Sequence, residues 1–301
     1  MLVRKFAILF KIGFVPLQGS LLLQDLTSNE TKLEEIETPR QPGICFFERT
    51  GNNSSVRTEY SRADSSSSLI RAARRLSKAI DKLTFAAPVA FVYNPLQYAW
   101  EPHQAYLRKF GYAPKRVVFL GMNPGPFGMA QTGVPFGEIG AVRDWLAIKG
   151  SIGKPVPEHP SRPVAGFGCS RSEVSGQRLW NLFATRFGGP EEFFAEHIVM
   201  NYCPLAFLEA TGRNRTPDKL APLERATLFA LCDEHLRLVV AALQPEWLIG
   251  IGGFAAQRAE AVFGKSELKL GRILHPSPAN PVANRGWASN ATRQLEKIGV
   301  W

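Results

Sequence analysis

A chain of 301 residues, 45% of them hydrophobic, can bury a substantial core, and no uninterrupted apolar run reaches the roughly 18 residues of a membrane span. The formal net charge of +10 suits a polyanionic partner, though it also suits plain solubility. Cys45, Cys169, Cys203 and Cys232 stand far apart with no C-x-x-C pair, which argues against a zinc site or disulfide framework and for reduced thiols in an intracellular protein.

In chain order, Arg4 and Lys5 precede an apolar run at 6–10 in the manner of a signal peptide, but Lys11 interrupts it and no cleavage pattern follows. Residues 27–37 are polar and acidic, 49–57 are rich in Gly, Asn and Ser, and 65–68 are all serine. Such stretches bury too little apolar surface to offset the entropy of ordering them. Residues 1–68 therefore read as a disordered extension or a mis-assigned translation start, and 69–301 as the folded domain.

From Leu69 the patterns turn globular. Ile70, Ala73, Leu76 and Ile80 repeat at helical spacing and predict a helix over 70–83. Four short, nearly all-apolar runs, at 116–120, 197–201, 247–251 and 272–274, predict strands buried on both faces. Helical patterns lie between and around them at 138–148, 174–186, 218–243, 255–263 and 288–298. This alternation predicts a layered α/β domain with a short parallel central sheet. Ligands of such sheets bind beyond the carboxyl ends of the strands. Three of the four runs end there in polar or Gly-rich sequence: G-M-N-P-G-P-F-G from Gly121, N-Y-C-P from Asn201 and H-P-S-P from His275. These loops are expected to converge on one crevice.

The Gly and Pro density of residues 121–137 forbids helix or strand. A plain strand-to-helix turn is the bland reading, but a loop this long with Met, Phe and Gln on it is an uncommon way to make one. A second turn, G-I-G-G-F-A at 250–255, fits the dinucleotide fingerprint G-x-G-x-x-A. It comes late in the chain with no ribose-binding acid in a clear βαβ unit, so a close packing turn is the better reading.

The 121–137 loop, with V-S-G at 174–176, N-Y-C-P-L at 201–205, G-R-N-R-T-P at 212–217 and H-P-S-P-A-N-P at 275–281, resembles the single-strand-selective monofunctional uracil-DNA glycosylases. Y-N-P-L-Q-Y-A-W-E-P-H at 93–103 belongs to the same likeness, which runs from about Leu69 to the C-terminus. The resemblance implies a three-layer α/β/α fold around a short, mostly parallel four-stranded sheet. It implies hydrolysis of the N-glycosidic bond of uracil and of C5-oxidised uracils such as 5-hydroxymethyluracil, in single- and double-stranded DNA, leaving an abasic site. It also implies a monomer with no metal or cofactor, working in the nucleus or, in a bacterium, on the nucleoid in the cytoplasm.

Carried over position by position, the resemblance makes His275 the donor to the uracil oxygen that gains charge. A lone histidine is otherwise more often a buried structural residue; its place at a strand's carboxyl end reverses that balance in favour of the active role. Asn123 is the residue that orients water, since an amide cannot serve as a general base; without the resemblance it is a turn residue before Pro124. Asn201 reads the base, accepting from N3–H and donating to O4. Phe136 stacks on the flipped base, the Met122 backbone lines the pocket, and Gly125 leaves room at the C5 edge.

Two loops are expected on DNA. The first resembles the family's wedge and runs through Thr211, Gly212, Arg213, Asn214, Arg215 and Thr216 to Pro217, Lys219 and Arg225, with Arg213, Arg215, Lys219 and Arg225 on phosphates and Pro217 in the first turn of a helix. The second is Pro276, Ser277 and Pro278. There the chain departs from the family, which commonly has arginine where Ala279 stands, so plugging of the vacated stack would rest on the wedge alone. Two other readings remain: a related glycosylase preferring xanthine or hypoxanthine, and a non-catalytic DNA-binding module, against which Asn123 and His275 speak.

Overall fold

The computed structural model describes residues 54–301, with side chains from residue 65; residues 1–53 of the expected extension lie outside the described residues. The described chain begins with α1 (Ser54–Ile80), β1 (Val89–Tyr93), α2 (Pro95–Tyr98) and α3 (Trp100–Phe110). Next come β2 (Val117–Gly121), the single turn α4 (Met129–Thr132), α5 (Val174–Phe187), α6 (Pro190–Glu196) and β3 (His197–Asn201). β4 (Ala206–Glu209) and β5 (Asn214–Arg215) precede the long α7 (Pro222–Leu243). The chain closes with β6 (Trp247–Ile251), α8 (Gly253–Phe263), β7 (Lys269–Ile273), α9 (Pro281–Asn284) and α10 (Trp287–Lys297).

Val117, Val118, Phe119 and Leu120 are wholly buried, so β2 needs a neighbour on each edge and a layer on each face. It has them. β3 and β6 pair with it in parallel and β7 continues beyond β6, giving the order β3-β2-β6-β7. Helices α1, α3 and α7 pack together as one group, while α5 packs on α6 and α10 and α8 lies on β6 and β7. This is the three-layer α/β/α arrangement. β1, β4 and β5 form a second, antiparallel sheet of three strands that the sequence patterns do not announce. Its strands have only four or five residues at most, too short for alternation to stand out.

Four expectations shift. The helix expected from Ile70 starts at Ser54, and the serine run 65–68 lies inside it, so the boundary at 68 falls too late. Ser65 and Ser66 are buried, and Ser65 Oγ donates to the Gly111 carbonyl at 3.2 Å, which satisfies a hydroxyl that composition alone assigns to solvent. The helix expected at 138–148 is a single π-turn, Ala141–Trp145: Val142 and Leu146 keep helical spacing, but Ala147 turns left-handed at φ 51°. The last strand is Lys269–Ile273, not 272–274. Pro217 opens a 3₁₀ turn, Pro217–Lys219, and it is Pro222 that opens the following helix.

The turn at 250–255 is a packing device. A Cβ on Gly250 would strike the backbone of Ala256, and one on Gly252, which sits at φ 90°, would lie 3.0 Å from the His275 Cβ. The glycines let a helix and the 275 loop close on the end of β6.

Candidate active site

The carboxyl ends of β2, β3 and β7 release residues 122, 202 and 274 on the same side of the sheet, because all three strands run parallel. The loops meet around a cavity of about 280 Å³. Met122, Asn123, Gly125, Phe136, Asn201 and His275, the six pocket residues expected from sequence, all line it. Of the residues expected on DNA, Asn214, Thr216 and Ser277 also line the cavity, whereas the others lie outside its wall.

Each polar side chain has a defined orientation. Asn123 Nδ2 donates to the Leu205 carbonyl at 3.1 Å, which leaves its Oδ1 as the group able to accept from a water. Asn201, the last residue of β3, has its Nδ2 3.2 Å from Met129 Sδ, while its buried Oδ1 has no hydrogen-bond partner. An acceptor so placed awaits a donor from a ligand. His275 Nδ1 accepts the Ser277 backbone N–H at 3.1 Å. Burial lowers its pKa from 6.5 to about 4, so the ring is neutral at pH 7 and its one proton sits on Nε2.

Phe136 is held by its backbone. It takes φ 51°, a left-handed conformation rare for an aromatic residue, and its carbonyl accepts from Trp180 Nε1 at 2.9 Å and the Glu138 N–H at 2.7 Å. The ring is thereby turned inward, 8% exposed, with its centroid 6.0 Å from that of His275. Arg178 of α5 braces the opposite loop, donating to the Pro276 carbonyl at 3.0 Å and to Asn284 Oδ1 at 2.9 Å.

Two basic residues assigned to phosphates are otherwise engaged. Arg215 pairs with Glu209 at 3.1 Å and donates to the Lys219 carbonyl, and Arg225 donates to the Asp218 carbonyl at 3.0 Å. Both hold the 211–225 segment in shape. Arg213 and Lys219 side chains are exposed.

Sequence reasoning missed Glu173, the residue before α5, and Ser175. An acid at the start of an amphipathic helix reads as a surface charge suited to the helix dipole. Here the Glu173 carboxyl turns into the cavity wall, Oε2 is buried without a partner, and burial, reinforced by the Glu138 charge, pushes the group up from 4.5 to about 7. A side chain on Gly125 or Gly128 would collide with its oxygens. The room expected beside Gly125 is thus bounded by a carboxyl group.

A cavity beyond parallel strands, with oriented amides, a neutral imidazole and an inward aromatic, defines a site for a small planar polar ring. Residues 108–296 match the family described as the Uracil DNA glycosylase superfamily. The solved structure of wild-type Pedobacter heparinus SMUG2 is similar in fold, with a TM-score of 0.57 over 76% of this chain and 96% of that one, at 16% identity. The chain is 49% identical over 228 residues to the single-strand selective monofunctional uracil-DNA glycosylase of Rattus norvegicus, covering 75% of this chain and 82% of that protein. The Bos taurus protein of the same name is 46% identical over 228 residues, covering 84% of its length. This chain belongs to the single-strand selective monofunctional branch of the uracil-DNA glycosylase superfamily. It is a glycosylase, a hydrolase of DNA repair.

Proposed function

We propose that the protein excises uracil and C5-oxidised uracils from single- and double-stranded DNA, acting as a monomer. The nucleotide leaves the stack and its base enters the 280 Å³ cavity, against the Phe136 ring. Asn201 Oδ1 accepts from N3–H and its amide nitrogen donates to O4; cytosine offers the opposite polarity at both positions and leaves buried groups facing like groups. The C1′–N1 bond breaks with its electron pair leaving on the base, where charge collects on O2. A neutral His275 donates its Nε2 proton as a hydrogen bond to that oxygen as the charge grows. Water accepted by Asn123 Oδ1 then adds to the sugar C1′ and releases its proton to solvent. No strong base is needed, because the sugar is already cationic when water arrives.

One observation carries this reading. The Ser277 N–H on Nδ1 and the absence of charge at pH 7 make His275 a donor through Nε2 and through nothing else. The test is incubation with single- and double-stranded oligonucleotides carrying one uracil, 5-hydroxymethyluracil, xanthine or hypoxanthine, followed by alkaline cleavage at abasic sites. Cleavage at both uracils and in both strand forms is expected. Release of purines in preference to uracil would overturn the assignment.

A further inference from the structure

We infer that the Glu173 carboxyl is a specificity-determining group that faces C5 of the flipped base, accepts a hydroxymethyl there and excludes a methyl. The inference rests on the uracil reading of the cavity and follows from which edges of the ring are already taken. His275 serves O2, Asn201 serves N3 and O4, and Asn123 stands at the sugar side. The edge left is C5–C6, and of the lining residues not yet assigned an edge, Glu173, whose carboxyl lies over Gly125, is the one with an ionisable group.

That wall is built rather than incidental. Gly125 and Gly128 have no side chains, and a Cβ on either would overlap a Glu173 oxygen, so the two glycines make a seat for the carboxyl. Among the described residues no ion pair with Glu173 is formed, and its Oε2 is out of contact with water and without a hydrogen-bond partner. Oε2, against Gly128, is the oxygen closed off, while Oε1 lies over Gly125 at the cavity, so a ligand at C5 meets the carboxyl through Oε1. The group's raised pKa agrees with a carboxyl that can keep its proton at neutral pH. A neutral carboxyl both donates and accepts, matching a hydroxyl that does both. A C5 methyl is one heavy atom smaller than a hydroxymethyl and offers Glu173 no hydrogen bond, so thymine covers the carboxyl and leaves it unpaired. A site built to bond a hydroxyl can reject the analogue without one by about 10⁴.

The test compares kcat/KM on single-strand oligonucleotides carrying 5-hydroxymethyluracil, uracil or thymine, for wild type, Glu173→Gln, Glu173→Asp and Glu173→Ala. The quantity read is the ratio of 5-hydroxymethyluracil to uracil within each protein, which cancels a general loss of activity. Wild type and the isosteric Glu173→Gln, which also donates and accepts, are expected to share a high ratio. Glu173→Asp withdraws the group by one methylene and should lower the ratio several-fold, and Glu173→Ala by tenfold or more. Should Glu173→Ala fail to fold, the Gln-to-Asp contrast decides. Ratios within twofold of wild type in Asp and Ala variants would overturn the role of Glu173 and leave the uracil reading standing. A wild-type enzyme that releases uracil but not 5-hydroxymethyluracil would overturn the C5 reading itself.

Discussion

Ser277 donates its backbone N–H to His275 Nδ1 at 3.1 Å, and this bond sets which nitrogen of the imidazole can act on a substrate. Because the donor sits two residues along the same loop, the tautomer is built in locally. Burial then keeps the ring neutral by lowering its pKa to about 4.

Replacing His275 with Leu removes the donor to O2, and uracil excision is expected to fall by roughly 10²–10³, the scale of one lost transition-state donor. DNA affinity measured by gel shift should change little. In the wild type, the rate should hold as pH falls through 6.5 and decline only toward about 4, where a second ring proton breaks the Ser277 bond. A half-point near 6.5 would contradict the tautomer argument.

Gly121 ends β2 where a Cβ would overlap both Asn201 Oδ1 and the Phe136 ring. Gly121→Ala is therefore expected to displace the Asn201 amide and the Phe136 ring together. Excision should drop by about 10² or more, since misplacement by an ångström costs on that order. Equal kcat/KM for this variant and wild type would mean that the pocket wall is looser than its packing.

Asn201→Asp keeps an acceptor but cannot donate to O4 when ionised. Uracil kcat/KM is expected to fall at least tenfold at pH 7.5, the cost of one unpaired polar contact of about 1–3 kcal/mol. Slight activity on cytosine is expected as the pH is lowered and the buried carboxyl takes a proton. Unchanged uracil excision would remove Asn201 from the role of base reader.

Folding stability should fall on mild acidification. His103, His197, His235 and His275 are each lowered from 6.5 to about 4, chiefly by burial. Between those values the unfolded chain binds protons that the folded chain refuses, so stability present above 6.5 is lost as pH drops toward 4. Glu173, raised from 4.5 to about 7, acts in the opposite sense, but one group stands against four. The net loss by pH 5 is on the order of several kcal/mol, since each tenfold difference in proton affinity between the folded and unfolded chain is about 1.4 kcal/mol. Urea midpoints at pH 7.5 and 5 measure it, and equal midpoints would refute it.

Ala279 is exposed on the loop after His275, its N–H donating to Ser277 Oγ at 3.2 Å, and a methyl cannot fill a vacated base stack. Ala279→Arg should slow dissociation of abasic duplex product and steepen its log–log salt dependence by about one unit. Single-strand product should respond less, having no stack to plug. Identical duplex dissociation in the two proteins would show that this position is idle.

Local chemistry was legible along the chain. The β3 and β6 runs match their strands at both ends, because side chains buried on both faces leave an unbroken apolar signature. The three polar loops after strands could be read as one crevice, since parallel strands put their carboxyl ends on one side. Glu173 could not be read that way. Its role depends on two glycines some fifty residues earlier offering a seat, and on the wall that removes water from its carboxyl. The same holds for Arg215 and Arg225, whose charge is plain in the sequence while their partners, Glu209 and the Asp218 carbonyl, come from the folded loop. Residue type and spacing determine which groups a short segment can offer. Whether a carboxyl is buried, an arginine engaged or an imidazole neutral is set by desolvation and by neighbours distant in the chain, and only the tertiary structure decides those.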